Sequence, residues 1–359
     1  MNFSAMFSKL LINTTNSYKY LFLKSITERI TQGEEHITID DLIIDMLVLA
    51  WYPSQYFKLS FGLQDQVGNI FKEQNFTYNS SVPITSTSFK TQLRLEIIRS
   101  IDLRAIRRKL AEYVQFRLLT PFFSEELRGK KDQVKNGLIF DLAHSYFETL
   151  LPLYKVNTDK KAIFVNKKWC GFIKANAGIL NSYQKMEWIS YLQKNNPNIP
   201  AIIYKTEPPI QRSSLSKVQK YWNKFILENA DEKCIYTGKQ LITLKPSIDH
   251  FLPWSFVCHD RLWNLIPVNA STNSSKSNTL PSLDYYLQPF IEQQSRALSF
   301  HAENIDGWEK HAEYYIQDLG FKNHTELLEQ QKFSDRLSQT IENQYSLAKH
   351  LGFRPGWTN

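Results

Sequence analysis

The stretch CIYTGKQLITLKPSIDHFLPWSFVCHDRLWNLIPVNASTNSSKSNTLP, residues 234–281, decides how this chain is read. Asp249 and His250 close a β-like run that ends before Pro253. Asn264 follows His250 by fourteen residues inside LWNLIP, residues 262–267. Asn273 comes nine residues later, and Lys276 follows in the pattern Asn-x-x-Lys-Ser-Asn. A bare Asp-His pair is common by chance, so the weight lies on the whole set of residue types, spacings and β-β-α order. Taken singly, Asn264 reads as a turn residue and Asn273 as part of a polar loop.

Together these residues suit phosphodiester hydrolysis. A hard divalent cation prefers oxygen ligands, which the Asp249 carboxylate and the Asn273 amide supply. Such a cation stabilises charge on the phosphate and on the leaving 3′ oxygen. A neutral imidazole beside it, His250, takes a proton from attacking water near pH 7. Neighbours on a strand point to opposite faces, so the backbone has to bend if Asp249 and His250 serve one site. Asn264 is placed to fix that bend through main-chain bonds. Lys276, one turn after Asn273 on a short helix, is expected to face the same phosphate.

On these residues the segment resembles the ββα-metal motif of the HNH endonuclease family, and within it the HNH module of the single-protein, RNA-guided CRISPR effectors. The shared elements are Asp249-His250-x-x-Pro-x-Ser-Phe, Asp260, Asn264-Leu265 and Asn273-x-x-Lys-Ser-Asn-x-x-Pro. The resemblance implies His250 as general base, Asp249 and Asn273 as metal ligands, Asn264 as the structural middle residue and Lys276 as phosphate support. It further implies a cut dependent on Mg²⁺ (or Mn²⁺) that leaves 5′-phosphate and 3′-hydroxyl ends, and a setting in bacterial defence against phage or foreign DNA. The likeness covers about 50 of 359 residues and carries no guide-RNA use, because no partner RNase H-like motif accompanies it. Many family members flank the motif with two CxxC zinc knuckles. Here Cys234 stands alone in Cys-x-x-Thr-Gly, so packing is expected to replace structural zinc. Cys258-His259 matches no zinc spacing.

Outward from this segment the chain reads as mainly α-helical. The 42% apolar and 14% aromatic content supports a sizeable core and excludes wholesale disorder. Tyr20, Leu23, Ile26 and Ile30 form one stripe of a helix over 17–32. Thr38 and Asp41 suggest a capped helix running to about Trp51, ahead of Pro53. Residues 75–88 read as a loop. Helices are predicted over 89–119, 138–152, 181–195, 214–229, 282–300, 304–319 and 334–351, with a hairpin over 162–173 and a proline-marked linker over 196–212. The resulting division is a helical basic region over 1–205 for DNA or partner binding, the nuclease module over 206–285 and a helical C-terminal region over 286–359.

The three cysteines exclude a disulfide scaffold, and neither a signal peptide nor a bilayer-length apolar run is seen, so a cytoplasmic protein without membrane association is expected. The net charge is +8 and uneven: residues 1–204 hold 26 basic and 18 acidic side chains, while 286–359 hold 7 and 10. Such a balance favours an anionic partner, DNA first. Two basic stripes are candidates for the phosphate backbone: Lys217, Lys220 and Lys224 on one helix, and Arg104, Arg107 and Arg108 on another. Two other readings stand beside the free nuclease: a partner-gated nuclease that is silent alone, held by a regulatory protein, and a DNA-binding module without significant cleavage. The sequence leaves the oligomeric state open.

Overall fold

The computed structural model describes residues 2–12, 14–78, 82–208 and 214–359. The fold is mainly helical around a small ββα module. The chain divides into two compact units, Met1–Pro197 with Ile202–Ile210, and Asn198–Ala201 with Gln211–Asn359. No helix among the described residues is long and apolar enough to cross a membrane.

In the first unit, the helices Tyr18–Thr31 and Ile39–Trp51 pack on one another. The expected stripe is the reason: Leu23, Ile26 and Ile30 are fully buried, and Tyr20 packs against Trp188 and Tyr191. Thr38 caps the second helix, its Oγ1 accepting from the Asp41 N–H at 3.0 Å and donating to the Asp41 carboxylate at 2.7 Å. Three short strands, β1 (His36–Thr38), β2 (Tyr154–Val156) and β3 (Ala162–Val165), form an antiparallel sheet with β3 in the middle.

Three expectations for this unit change. The helix predicted over 138–152 is displaced upstream to Asp132–Ser145. The helix predicted over 89–119 is three helices, Phe89–Ser100, Leu103–Ala111 and Val114–Arg117. Ile101 turns extended, and the Asp102 carboxylate accepts from the N–H groups of Arg104 and Ala105, so a capping residue restarts the chain where apolar periodicity reads as continuous. The hairpin predicted over 162–173 ends at Val165. There Asn166 caps a helix over Lys167–Ala175, and the strand that forms a hairpin with β3 lies upstream in β2. The linker over 196–212 holds one short turn, Ile202–Tyr204; residues 209–212 of it lie outside the described residues, as do 79–81 of the loop over 75–88.

In the second unit, β4 (Ser247–His250) and β5 (Leu265–Val268) pair antiparallel with His250 opposite Leu265 and Asp249 opposite Ile266. A helix over Ala270–Lys276 completes the ββα order. The helix Ser216–Glu228 packs on both strands and buries Trp222, Phe225 and Ile226. The helices Leu283–Asn304, Glu309–Leu319 and Gln330–His350 follow. The first runs through the boundary expected at 285/286. Its buried Gln294 donates to the carbonyls of Leu262 and Leu265, which ties the C-terminal helices to the module within one unit.

Candidate active site

The local fold at the site is set by a bend after a short strand. Beyond His250 the Phe251 N–H donates to the Asn264 carbonyl at 2.9 Å. The Asn264 side chain then clasps the main chain of one residue: its Oδ1 accepts from the Leu252 N–H at 2.8 Å and its Nδ2 donates to the Leu252 carbonyl at 3.0 Å. Asn264 is 0% exposed, so these bonds satisfy groups that water cannot reach. Asn264 therefore positions the turn rather than meeting substrate. The loop that carries it is braced by the helix Glu309–Leu319, where Asp318 accepts from the Trp263 indole at 2.7 Å and pairs with Arg261 at 3.2 Å.

Asp249 and His250 are adjacent on β4, the last two residues before that bend. The His250 Nε2 sits 2.8 Å from the Asp260 carboxylate. Donation of Nε2–H to Asp260 fixes the tautomer and leaves the lone pair on Nδ1. The next imidazole, His259, packs on Trp263 and is held neutral, its pKa pushed down to about 4 chiefly by burial.

Asp249 is only 4% exposed, and its carboxylate is well partnered. The Lys276 ammonium lies 3.2 Å from Oδ1 and 3.1 Å from Oδ2, and the Tyr236 hydroxyl donates to Oδ2 at 2.9 Å. Lys276, expected against a substrate phosphate, is itself 0% exposed and also donates to the His250 carbonyl at 2.7 Å. Burial pulls its pKa down, with the Asp249 charge opposing. Asn273, on the same helix one turn earlier, donates through Nδ2 to the Ser247 hydroxyl and the Ile248 carbonyl, each at 3.2 Å. Those bonds hold the amide beside the strand that carries Asp249, with Oδ1 as its remaining oxygen donor.

Two residues of the site lie outside the sequence reading of roles. Tyr236 belongs to the Cys234-x-x-Thr-Gly turn, and only its three-dimensional position puts the hydroxyl on Asp249; Asp260 is a shared motif residue whose partnership with His250 needs the loop to fold back. The Cys234 turn is closed by packing. Cys234 is buried, its N–H donates to the Lys239 carbonyl at 2.9 Å, and Gly238 occupies φ +68°. Next to it the buried Glu232 accepts from Gln293 and pairs with Arg296. Tyr236 is flanked edge-on by Tyr286 and Trp357.

The two basic stripes differ. Lys217, Lys220 and Lys224 are exposed, and no ion pair involves them among the described residues. On the helix Leu103–Ala111, Arg104 is exposed, Arg107 is tied to Asp40, and Arg108 pairs with Glu112 at 3.1 Å.

No curated protein and no solved structure matches this chain. Residues 234–282, which span the Cys234 turn, both strands and the Asn273 helix, match the family model described as HNH endonuclease, and the chain thus carries an HNH nuclease module.

Proposed function

We propose that this protein is a metal-dependent endonuclease that hydrolyses DNA phosphodiester bonds, with His250 as the general base. The observation that carries the reading is the His250–Asp260 pair set beside the buried Asp249–Lys276–Tyr236 cluster and Asn273. The donor chemistry fits a hard cation that keeps part of its water: one carboxylate and one amide oxygen, the number a Mg²⁺ ion takes when substrate phosphate supplies more. Asp249 and Asn273 would hold Mg²⁺ or Mn²⁺, which stabilises charge on the phosphate and the departing oxygen.

The chain's own residues supply the rest. Water attacks phosphorus, its proton passes to His250 Nδ1, and the bond to the 3′ oxygen breaks. Asp260 holds the ring with Nδ1 available and stabilises the imidazolium that forms. Asn264 fixes the bend that presents the ring. Lys276 and Tyr236 orient the Asp249 carboxylate. Lys217, Lys220 and Lys224 offer unpaired charge to the backbone of the substrate. The setting we propose is defence against phage or foreign DNA, on the strength of the resemblance of residues 249–281 alone.

The test is a supercoiled-plasmid assay with Mg²⁺ or Mn²⁺, with EDTA, and with His250→Ala beside the wild type. Metal-dependent nicking that disappears in the variant supports the assignment. Equal inactivity of both proteins, with DNA still bound, defeats the free-nuclease reading and turns attention to a gating partner.

A further inference from the structure

The first unit carries a second feature suited to nucleic acid. One face of its three-stranded sheet is buried through Ile37, Ile163 and Val156. On the other face the register aligns His36, Phe164 and Lys155 across all three strands. Phe164 sits in the middle strand and is 41% exposed, so part of its ring surface is open to a ligand. His36 lies against it with ring centres 4.5 Å apart, and the Lys155 ammonium sits 4.6 Å over the Phe147 ring. Beyond the end of β3, Lys167 and Lys168 open the helix Lys167–Ala175, both exposed and without an ion pair among the described residues. These groups line a concavity of about 590 Å³, within the ordinary range of ligand sites.

We infer that this face binds single-stranded nucleic acid, with a base stacked on Phe164 and the adjoining phosphates on Lys155, Lys167 and Lys168. An exposed aromatic in the centre of a sheet, bordered by lysines, is what an unpaired strand requires: every base has a π-face, and the backbone carries one charge per nucleotide. A duplex keeps its bases stacked inside and offers Phe164 nothing. Glu35 and Glu148 also line the concavity and carry acceptors only, which suits the amino edge of a base and not a phosphate. The inference does not rest on the nuclease reading, since it concerns binding at a surface that the catalytic module does not contribute to.

The experiment uses the full chain carrying His250→Ala, with Lys217, Lys220 and Lys224 changed to alanine so that the module's own stripe does not mask the result. Affinity is measured for a labelled mixed-sequence 15-nucleotide strand and for the matching duplex. Phe164→Ala is expected to weaken the single strand by about 5- to 150-fold, the loss of one stacked base, and to leave the duplex unchanged. Phe164→Trp is expected to keep or raise the affinity. Lys167→Ala with Lys168→Ala is expected to lower the salt slope by about 1.4. Unchanged single-strand affinity in Phe164→Ala, or equal weakening of both probes, overturns the proposal. So does competition by AMP at micromolar concentration that Phe164→Ala abolishes, because the site would then serve a free nucleotide. Plasmid cleavage by the protein with an intact His250 is scored separately, so failure here and failure of the nuclease reading are told apart.

Discussion

Asp260 makes the sharpest test at the scale of single residues. Its carboxylate is the partner that decides which nitrogen of His250 is free. Asp260→Asn keeps the shape but can turn its amide N–H toward the ring and favour the wrong tautomer. We expect at least about 10-fold loss of the nicking rate at saturating plasmid with KM little changed, against about 10²–10⁴-fold loss for His250→Ala. A rate equal to wild type for Asp260→Asn would show that the pair does not orient the base. The positions of Asp249 and His250 at the end of a strand and of Asn264 ahead of its partner strand were legible because spacing and residue type are local properties. Asn264 does bond main chain, as its spacing predicts, but its clasp on Leu252 holds the turn that follows His250 and not a bend between Asp249 and His250. Tyr236 was not legible, since thirteen residues and a turn separate it from Asp249 and nothing in an apolar-aromatic pattern announces a hydrogen bond to a carboxylate.

At the scale of elements, the helix Ala270–Lys276 delivers both Asn273 and Lys276 to β4, and Lys276 ends it against Asp249. Removing one partner of a buried pair leaves the other uncompensated, at about 3–5 kcal/mol. Lys276→Ala is therefore expected to lower the melting temperature. Mg²⁺ should then raise it more than in the wild type, because the cation restores the positive charge that the buried Asp249 carboxylate has lost; an identical response to Mg²⁺ and EDTA in both proteins would argue against Asp249 as a ligand. A second prediction concerns the helices Leu283–Asn304 and Ser216–Glu228, joined where the buried His301 stacks on Tyr221 at 3.8 Å and sits 3.0 Å from its carbonyl. Burial, with lesser contributions from His311 and Lys224, brings the His301 pKa down to about 4, while the Tyr221 carbonyl opposes. In the unfolded chain the ring binds a proton near 6.5. The unfolded state thus takes up a proton that the native state refuses, so stability falls as pH drops from about 6.5 to about 4, by about 3 kcal/mol at most. His301→Phe should flatten that part of the melting-temperature profile, and an unchanged slope would refute the assignment. Element type was readable wherever apolar periodicity ran long, as in 17–32 and 214–229. Continuity failed at 89–119 and type at 166–173, where single capping residues, Asp102 and Asn166, outrank the periodicity around them.

Across the whole molecule the question is which positive charge is available to DNA. The window 89–135 is rich in arginine and lysine, yet much of it is spent within the protein. Arg94 pairs with Asp41 at 2.7 Å and with Asp45, Arg107 with Asp40, Lys109 with Glu73 at 2.6 Å and Arg117 with Asp132 at 2.7 Å. Composition cannot show that these charges are paired, because Asp40, Asp41 and Asp45 lie 49 to 67 residues upstream of Arg94 and Arg107 and meet them only in the fold. Lys217, Lys220 and Lys224 escape this cancellation on a helix that packs directly on β4 and β5. Each lysine that neutralises a duplex phosphate contributes about 0.9 to the salt slope of binding. Changing all three to alanine is therefore expected to reduce the slope for duplex DNA by about 2–3 between 50 and 200 mM salt. Arg107→Ala should leave the slope nearly unchanged, since that charge is already committed to Asp40. A triple variant with the wild-type slope would place the duplex contacts elsewhere, with the exposed Arg104 and Arg108 the next positions to change.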